Sequence, residues 1–596
     1  MKTKVHDPML RKAMLAMLVF EWIQISMGSA KIDSNLVLAC AIVIPFPFYA
    51  ALLWPVGRFV QQQKIKKVII GCLIGRASMV IIGNVFANEL MRVAPQFLLG
   101  VLAMIVVMKF VPDAATYLFA KLQRALIVPA VALFGVAGFM PPAFHTQEIS
   151  TADAPTGAPN IVLLSWDTVR ADVLSLYGGT GLDTPNLDKF ATRSVVFDDA
   201  VANTPITGPE HSIMLTGVLP PSHGMRSNVT SRVPESVNTL PERLAANGYA
   251  TGAFVSSYPM LGRLGLQQGF SVYNDRMNNQ PLIRFKQLSP REVFWSGLLF
   301  PLLKSSPKAF TEGDIVQQRA VEWLDQRPQD RPYFLFLHLY DAHAPYEPLP
   351  EFKKVALERI DTATPKAFDP NDANAMARYR GEIAMLDNWL GSFLDVLDAH
   401  DPGLNNTLIV LTSDHGECFG EGGIHHNHVP SLYEATQHVP LVVHFPQHAG
   451  AGLRVAETVT HLDIMPTFLL AAQVDIEGEA QDVASYPLQL AYSKNGMGYS
   501  SRDVYLEAQQ KTLADDRLRG WRTAANKFLL SEGGEQTLFE YRKNEVDNII
   551  ASKPSLGNEL RTAMISFFDG LTKIDGNVDS LNEQDIKAMG ELGYTE

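Results

Sequence analysis

Cysteine and positive charge are both scarce in this chain. It has three cysteines among 596 residues, and only Cys418 lies beyond residue 150. The chain after residue 150 therefore has no disulfide framework and no C-x-x-C zinc or redox motif. Charged residues make up 19% against 47% hydrophobic residues, which excludes a disordered chain. The net charge of −12 offers no basic footprint, so we expect no nucleic-acid partner.

Charge and hydropathy divide the chain into two parts. Residues 1–150 carry 14 Lys or Arg and 6 Asp or Glu, whereas the remainder carries 36 and 56. Because a helix needs ~20 apolar residues to cross a bilayer, we predict about five transmembrane helices within residues 1–142. Glu21 and Arg76 would face protein, or one of their two segments would lie along the interface. The apolar stretches lie at about residues 13–30, 36–57, 68–88, 96–112 and 125–142.

Lysine and arginine predict the orientation of this bundle. They cluster before the first stretch, between the second and third, and just before the fifth, whereas the other loops carry Lys31 or Arg92. The positive-inside rule then gives a cytoplasmic N-terminus, a multi-pass protein of the inner (plasma) membrane and an extracytoplasmic body. Residues 143–159, rich in Pro, Ala, Thr and Gly, are predicted to form a linker.

Beyond residue 160, short apolar runs alternate with helical periodicity. Strands alternating with helices predict an α/β fold with a doubly wound, mainly parallel sheet. Two short runs around Gly533 and Gly534 predict a hairpin in a small separate C-terminal antiparallel sheet. The predicted strands begin at about Asn160, Ser194, Ala253, Tyr333, Leu408 and Leu441. The predicted helices are Pro185–Thr192, Pro241–Asn247 and Glu382–Leu397.

Acidic and histidine side chains follow three of the predicted strands. Asp167 follows the first strand, Asp414 and His415 follow the run that ends at Leu411, and His343 follows the run that ends at Leu339. Asp and His are also common turn formers, so each alone has a structural interpretation. Because ligands bind at the carboxyl ends of parallel strands, the three together predict a metal-binding site.

A fourth segment, Thr207-Gly208-Pro209-Glu210-His211, precedes an apolar run. It could be only a loop that leads into a helix. It could also present the Thr207 hydroxyl at a helix N-terminus, where backbone N–H groups and the helix dipole favour an anion. His211, one turn further on, could then face the same anion.

These segments resemble the motifs of the alkaline phosphatase/sulfatase superfamily, in the family's order across about residues 159–594. The resemblance implies a sulfatase-like catalytic domain over residues 160–596, with a small C-terminal subdomain from about residue 500. The matching motifs are D-T-x-R-A-D (Asp167–Asp172), T-x-P-x-H (Thr207–His211), D-A-H-A-P-Y (Asp341–Tyr346), S-D-H-G-E-x-F-G-E (Ser413–Glu421), H-x-x-x-L-Y-E (His428–Glu434) and A-M-G-E-L-G-Y (Ala588–Tyr594).

The resemblance also implies a role for each site residue. A divalent metal would be bound by Asp167, Thr207, Asp414 and His415. Thr207 would also be the nucleophile. His211, where sulfatases usually carry Arg, would orient it or contact the transferring group. The substrate oxyanion would be contacted by His343, and His428, where many sulfatases carry Lys, could protonate the leaving oxygen.

Two departures from the sulfatase pattern affect these expectations. Sulfatases that use formylglycine make it from Cys or Ser, so Thr207 cannot supply this group. A threonine at this position resembles instead the pattern of the nucleotide pyrophosphatase/phosphodiesterase and phosphotransferase branches of the superfamily. Thr168 replaces a paired Asp, which favours one metal ion over two. A second site could use Asp172, Asp341, His425 and His426. Mixed Asp and His ligands favour Zn²⁺ or Mn²⁺, with Ca²⁺ or Mg²⁺ as alternatives.

Three functions are compatible with this pattern. The first is a membrane-anchored, metal-dependent enzyme that cleaves or transfers a phosphate ester through Thr207 outside the cytoplasm. Its substrate would be a small-molecule, lipid-linked or envelope ester, and membrane lipids would be partners. The alternatives are a sulfuric ester hydrolase and a catalytically inactive envelope scaffold.

Overall fold

The computed structural model describes residues 145–146, 152–277, 310–353, 373–475, 485–492, 502–509, 517–541 and 545–576. These residues belong to one compact unit. Among them, no helix has both the length and the apolarity needed to span a bilayer. The five predicted membrane-spanning stretches, residues 143–144 and 147–151 of the predicted linker, and the motif at residues 588–594 lie outside the described residues.

Ten strands form one mixed, mainly parallel sheet in the order β1-β5-β4-β6-β2-β7-β10-β3-β11, with β12 also pairing with β3. Strand β10 is antiparallel to both of its neighbours, and β1 is antiparallel to β5. The ten strands are β1 (His145–Thr146), β2 (Asn160–Trp166), β3 (Val195–Val201), β4 (Ala250–Phe254), β5 (Val272–Asn274), β6 (Tyr333–Leu339), β7 (Thr407–Ser413), β10 (His438–His444), β11 (Arg454–Val455) and β12 (Val459–Thr460). Strands β8 (Cys418–Phe419) and β9 (His425–Asn427) form a separate pair.

Helices cover both faces of this sheet. Alternate residues of β2 point to opposite faces, so Ile161 and Leu163 enter one hydrophobic core while Val162 and Leu164 enter the other. Helices α2, α4 and α8 contribute to the first core, and α1, α5 and α6 contribute to the second. The helices are α1 (Pro185–Ala191), α2 (Thr207–Thr216), α3 (Pro220–His223), α4 (Leu240–Ala246), α5 (Gly313–Gln326), α6 (Ala373–His400), α7 (Glu434–Gln437), α8 (Ile464–Ala471) and α9 (Pro554–Gly570).

The C-terminal part forms a second, four-stranded antiparallel sheet against which α9 packs. A buried ion pair links it to the large sheet, because Arg522 of this sheet contacts Asp199 of β3 at 2.6 Å. The hydroxyl of Thr458 donates to the same carboxylate at 2.6 Å. The strands are β13 (Val504–Gln509), β14 (Arg517–Arg522), β15 (Asn526–Ser531) and β16 (Gln536–Glu540).

The predicted architecture of the body is confirmed, with two extensions. The mainly parallel sheet and the small antiparallel sheet are both present, and the predicted hairpin corresponds to β15 and β16. That sheet has two further strands, β13 and β14. His145 and Thr146, within the predicted linker, pair with β5 at the edge of the large sheet.

Candidate active site

Asp167, Asp414 and His415 converge at the carboxyl ends of two neighbouring parallel strands. Strands β2 and β7 pair in register, with Trp166 opposite Ser413, so the residues that follow them leave the sheet side by side. One candidate ligand atom from each of the three side chains lies within 4.8 Å of the others, and all three residues are buried. In the part of the chain that the structure describes, this is the one group of acidic and histidine residues with metal-binding geometry.

Backbone hydrogen bonds orient these side chains. Asp414 Oδ1 accepts from the backbone N–H groups of Thr168 (3.1 Å) and His415 (2.8 Å). His415 Nδ1 lies 2.9 Å from the carbonyl oxygen of Gly416 and donates to it, which leaves the lone pair on Nε2. Asp414 Oδ2 and Asp167 Oδ1 are buried without a hydrogen-bond partner. Each of the three side chains therefore keeps an electron-pair donor for a cation.

Two buried carboxyl groups at this site favour the binding of a cation. Burial raises the pKa of Asp167, and the neighbouring carboxylates of Asp414 and Glu417 raise it further. Burial also raises the pKa of Asp414 and lowers that of His415 to about 3. A divalent cation would stabilise both ionised carboxylates, so the residues fit such an ion. The mixed oxygen and nitrogen donors fit Zn²⁺ or Mn²⁺ better than Mg²⁺ or Ca²⁺.

Thr207 is the first residue of α2, after Ile206 in extended conformation. Its Oγ1 lies 3.4 Å from Nε2 of His415, which brings the predicted nucleophile beside the candidate metal ligands. The N-terminus of a helix also favours a negatively charged group. The hydroxyl, the two carboxylates and the imidazole thus meet at one point, although they come from three distant segments.

His211 contacts the backbone of Thr207, the predicted nucleophile. Its Nδ1 lies 2.7 Å from the carbonyl oxygen of Thr207, and its Nε2 lies 2.8 Å from Oγ of Ser165. Burial lowers its pKa to about 4, so the neutral ring donates through Nδ1 and accepts through Nε2. This geometry favours an orienting role over contact with the transferring group, and that role stays a prediction.

His343 and His428 face each other beside His415. Their Nε2 atoms are 3.2 Å apart, and the rings of His415 and His428 are 4.2 Å apart between centroids. Nδ1 of His343 lies 2.8 Å from the carbonyl oxygen of Ala344, and Nδ1 of His428 lies 2.6 Å from that of Pro205. Because both Nδ1 atoms donate to carbonyl groups, a hydrogen bond between the Nε2 atoms requires one additional proton. Burial lowers the pKa of His343 to about 3 and that of His428 well below its usual value.

Two residues at the site were not predicted from the sequence. His338 lies in β6, and its Nε2 is 3.1 Å from Asp167 Oδ2; a histidine in an otherwise apolar strand could have indicated it. Asn228 Oδ1 accepts from the backbone N–H of Gly208 at 2.8 Å, while its buried Nδ2 has no hydrogen-bond partner. That amide lies at the N-terminus of α2 and is suited to donate to an anion.

The residues suggested for a second metal site do not form one with three ligands in the described residues. Asp172 is held by Arg170, whose Nη2 lies 2.7 Å from Asp172 Oδ2. Asp341 Oδ1 accepts from the backbone N–H of Gly313 at 3.1 Å. The side chains of His425 and His426 are exposed on β9.

A family model and a search of known proteins both find relatives of this body. The model of the Sulfatase family matches residues 159–474, which is more than half of the chain. An arylsulfatase of Clostridium perfringens is 26% identical over 447 residues, which cover 66% of this chain and 91% of the relative.

Solved structures show the same fold. A phosphonate monoester hydrolase of Agrobacterium radiobacter superposes with a TM-score of 0.58 at 19% identity, over 69% of this chain and 96% of that one. A protein solved with its substrate D-glucosamine-2-N,6-O-disulfate gives a TM-score of 0.55 at 20% identity, over 69% and 98%. With the family model matched across the strands, the helix and the turns that build the site, the chain belongs to the sulfatase family of the alkaline phosphatase/sulfatase superfamily.

Proposed function

We propose that this chain is a metal-dependent hydrolase of sulfate esters, with Thr207 as its nucleophile. One observation carries the proposal. The buried Thr207 hydroxyl, at a helix N-terminus, lies 3.4 Å from His415 Nε2, beside two buried carboxylates whose oxygens Asp167 Oδ1 and Asp414 Oδ2 have no hydrogen-bond partner. The arylsulfatase and the other sulfatases among the relatives support a sulfate ester better than a phosphate ester. Sulfated sugars are the natural class to test, since one neighbour was solved with a disulfated glucosamine.

The reaction would proceed through two displacements. The Thr207 hydroxyl loses its proton as its oxygen bonds to sulfur, the bond from sulfur to the ester oxygen breaks, and the released alkoxide takes up a proton to become an alcohol. Water then attacks the O-sulfothreonine, releases sulfate and a proton, and restores the hydroxyl. A divalent cation bound by Asp167, Asp414 and His415 would activate the hydroxyl and neutralise charge on the transferring oxygens.

Residues of this chain would serve the other steps. Asn228 Nδ2 would donate to an oxygen of the transferring group. The pair His343 and His428 can accommodate one proton between their Nε2 atoms, and a bound anion would favour its uptake. That proton would pass to the leaving oxygen, and the pair would then accept one from the attacking water.

A phosphate ester is the second candidate, and Thr207 itself is the observation that favours it. Threonine cannot be oxidised to formylglycine, on which standard sulfatases depend. The phosphoryl group of a phosphothreonine intermediate could pass to water or to another hydroxyl, so both hydrolysis and phosphotransfer belong to this hypothesis. Cleavage of an alkyl or aryl phosphate uses the same residues, since phosphate and sulfate are tetrahedral anions of similar size.

The experiment compares 4-nitrophenyl sulfate, 4-nitrophenyl phosphate and bis(4-nitrophenyl) phosphate with the purified full chain and added Zn²⁺ or Mn²⁺. Thr207→Ala should abolish turnover, and the matched Thr207→Ser, which keeps a hydroxyl, should retain part of it. Turnover of phosphate esters alone would replace the first proposal by the second. Turnover unaffected by Thr207→Ala would refute both, and absence of turnover and of bound metal would favour the inactive scaffold.

We also propose that the body lies outside the cytoplasm, anchored by membrane-spanning helices within residues 1–142. The apolar stretches and the lysine and arginine distribution support this proposal. A lipid-linked or envelope ester would then be accessible to the site. Reporter fusions after residues 60 and 150 test it: the first should report the cytoplasm and the second the opposite side, and the reverse pattern would refute it.

A further inference from the structure

Glu210 is a fully buried carboxyl group on the first turns of α2, three residues after Thr207. Its Oε1 accepts from the backbone N–H of Asn203 at 3.1 Å, and its Oε2 accepts from that of Thr204 at 2.7 Å. Both amides belong to the loop that enters the helix. The side chain therefore folds back and holds the segment that ends at the nucleophile.

His461 holds the other side of this carboxyl group. Its Nδ1 lies 2.6 Å from Glu210 Oε1, and its Nε2 lies 2.9 Å from Oγ1 of Thr412. The hydroxyl of Thr412 donates to the carbonyl oxygen of Pro440 at 2.8 Å, so it accepts from His461 Nε2–H. Thr412 lies in β7, two residues before Asp414. One chain of hydrogen bonds thus joins the loop before Thr207 to the strand that carries a candidate metal ligand.

The contacts of this pair fit two protons and no net charge. Nε2 of His461 donates one to Thr412 Oγ1, and the 2.6 Å contact between Nδ1 and Glu210 Oε1 accommodates the second. Burial raises the pKa of Glu210 and lowers that of His461 to about 4, which favours the two uncharged forms. A net charge would be unfavourable at a buried position, and the shared proton avoids it.

We propose that Glu210 and His461 form a positioning pair that sets the place of the Thr207 hydroxyl relative to Asp414 and His415. The pair touches no reacting atom and acts through the loop at residues 203–206 and through β7. The inference rests on the proposed function for its effect on turnover. A misplacement of about 1 Å in a reacting group can reduce a rate by about 10²-fold.

The test replaces Glu210 by glutamine in the full chain. The amide keeps the shape, but its second N–H points at the backbone N–H of Asn203, so one hydrogen bond is replaced by a repulsive contact. We expect kcat to fall about tenfold or more, KM to stay within about twofold, and amide hydrogen exchange to accelerate in the segment 203–207.

A matched control is available elsewhere in the fold. Asp387 is also buried, and its carboxylate accepts the backbone N–H groups of Asn186 (3.2 Å) and Leu187 (2.8 Å) at the start of α1. Asp387→Asn should lower the melting temperature without changing kcat or the exchange of segment 203–207. A Glu210→Gln variant that behaves in this same way would overturn the proposal.

Two further outcomes are decided by separate measurements. Should Glu210→Gln fail to fold, His461→Asn is the second variant, because it leaves the two loop hydrogen bonds of Glu210 in place. A fall in its kcat with unchanged KM would support the pair, and an unchanged kcat would overturn it. Should the wild type hydrolyse no ester, the proposed function fails, whereas hydrogen exchange at 203–207 still decides the positioning role.

Discussion

Replacing His338 by phenylalanine tests how the candidate metal site is oriented. His338 lies in β6 opposite Ser165 of β2, and its Nε2 is 3.1 Å from Asp167 Oδ2. The backbone N–H of Ser256 donates to Nδ1 at 3.4 Å, so the hydrogen of the ring is on Nε2. Burial lowers the pKa of His338, and the neutral ring therefore donates to Asp167. The bond fixes Oδ2 and leaves Oδ1 available.

The expected magnitude follows from that single hydrogen bond. Asp167 Oδ1 already has no hydrogen-bond partner, so His338→Phe removes the one side-chain donor that the described residues offer this carboxylate. Loss of a partner that orients a metal ligand weakens metal affinity by about 10- to 100-fold, equivalent to about 1.4 to 2.7 kcal/mol. Phenylalanine fills a similar volume and is compatible with the apolar strand.

The assay is titration of the metal-free full chain with Zn²⁺ against a chelating indicator. His444→Phe is the matched control, because His444 is also a buried histidine in a strand, at the far end of β10, where it contacts the carbonyl oxygens of Arg193 (2.8 Å) and Leu404 (3.1 Å). It should lose stability and keep the wild-type Kd for Zn²⁺.

Two results would refute this reasoning. A Kd for His338→Phe within about twofold of the wild type would show that His338 does not orient Asp167. Equal weakening by His444→Phe would show that the loss reflects general destabilisation of the sheet.

Three further predictions follow from buried groups. Asp199→Asn removes one of the two carboxylates that pair with the buried Arg522 and leaves Glu434 in place, so it should lower the free energy of unfolding by about 2 kcal/mol in urea denaturation, and a loss below about 1 kcal/mol would contradict this. In the metal-free protein the pKa values of Asp167 and Asp414 are raised, so stability should fall as pH rises above about 4, where these groups ionise in the unfolded chain. Thermal melts should show this fall in melting temperature, and added Zn²⁺ should reverse it. An equally steep pH dependence of the melting temperature in Asp414→Asn would contradict the prediction. Burial raises the pKa of Cys418 to about 12, so iodoacetamide at pH 8 should label its peptide only after unfolding, and labelling of the native protein would contradict its burial.

The order of the central strands and of the helices between them can be predicted from the sequence because strands such as β2 and β7 are largely continuous apolar runs. Short or polar strands such as β5 and β14 lack that pattern and were not predicted. A run such as Leu408–Leu411 indicates a strand buried on both faces. The same pattern does not predict whether a strand runs parallel or antiparallel to its neighbours. Leu441–Val443 is an apolar run like Leu408–Leu411, yet β10 is antiparallel to both β7 and β3. Direction depends on the connections and on the loops that pack at each end, which apolar periodicity does not encode.

The candidate site residues can be identified from the sequence where they follow strands or begin a helix, as Asp167, Asp414 and Thr207 do. His338 and Asn228 cannot, because their relevance depends on which strand lies beside β2 and on a loop that folds over α2. Asp172 is a candidate ligand by type alone, and its pairing with Arg170 appears only with coordinates.

Threonine at position 207 determines how a sulfate or phosphate group bound to its oxygen could be released. The aldehyde hydrate of formylglycine carries two hydroxyl groups on one carbon, so the second can expel the bound sulfate without an attack at sulfur. The corresponding carbon of threonine carries a single oxygen, so a covalent intermediate formed on it, as proposed for Thr207, would have to be released by a second displacement at sulfur or phosphorus. Sulfate ester turnover by this chain therefore requires a water molecule to be activated in the site. His343 and His428, whose Nε2 atoms lie 3.2 Å apart, are the described residues suited to take its proton, because burial keeps both rings neutral.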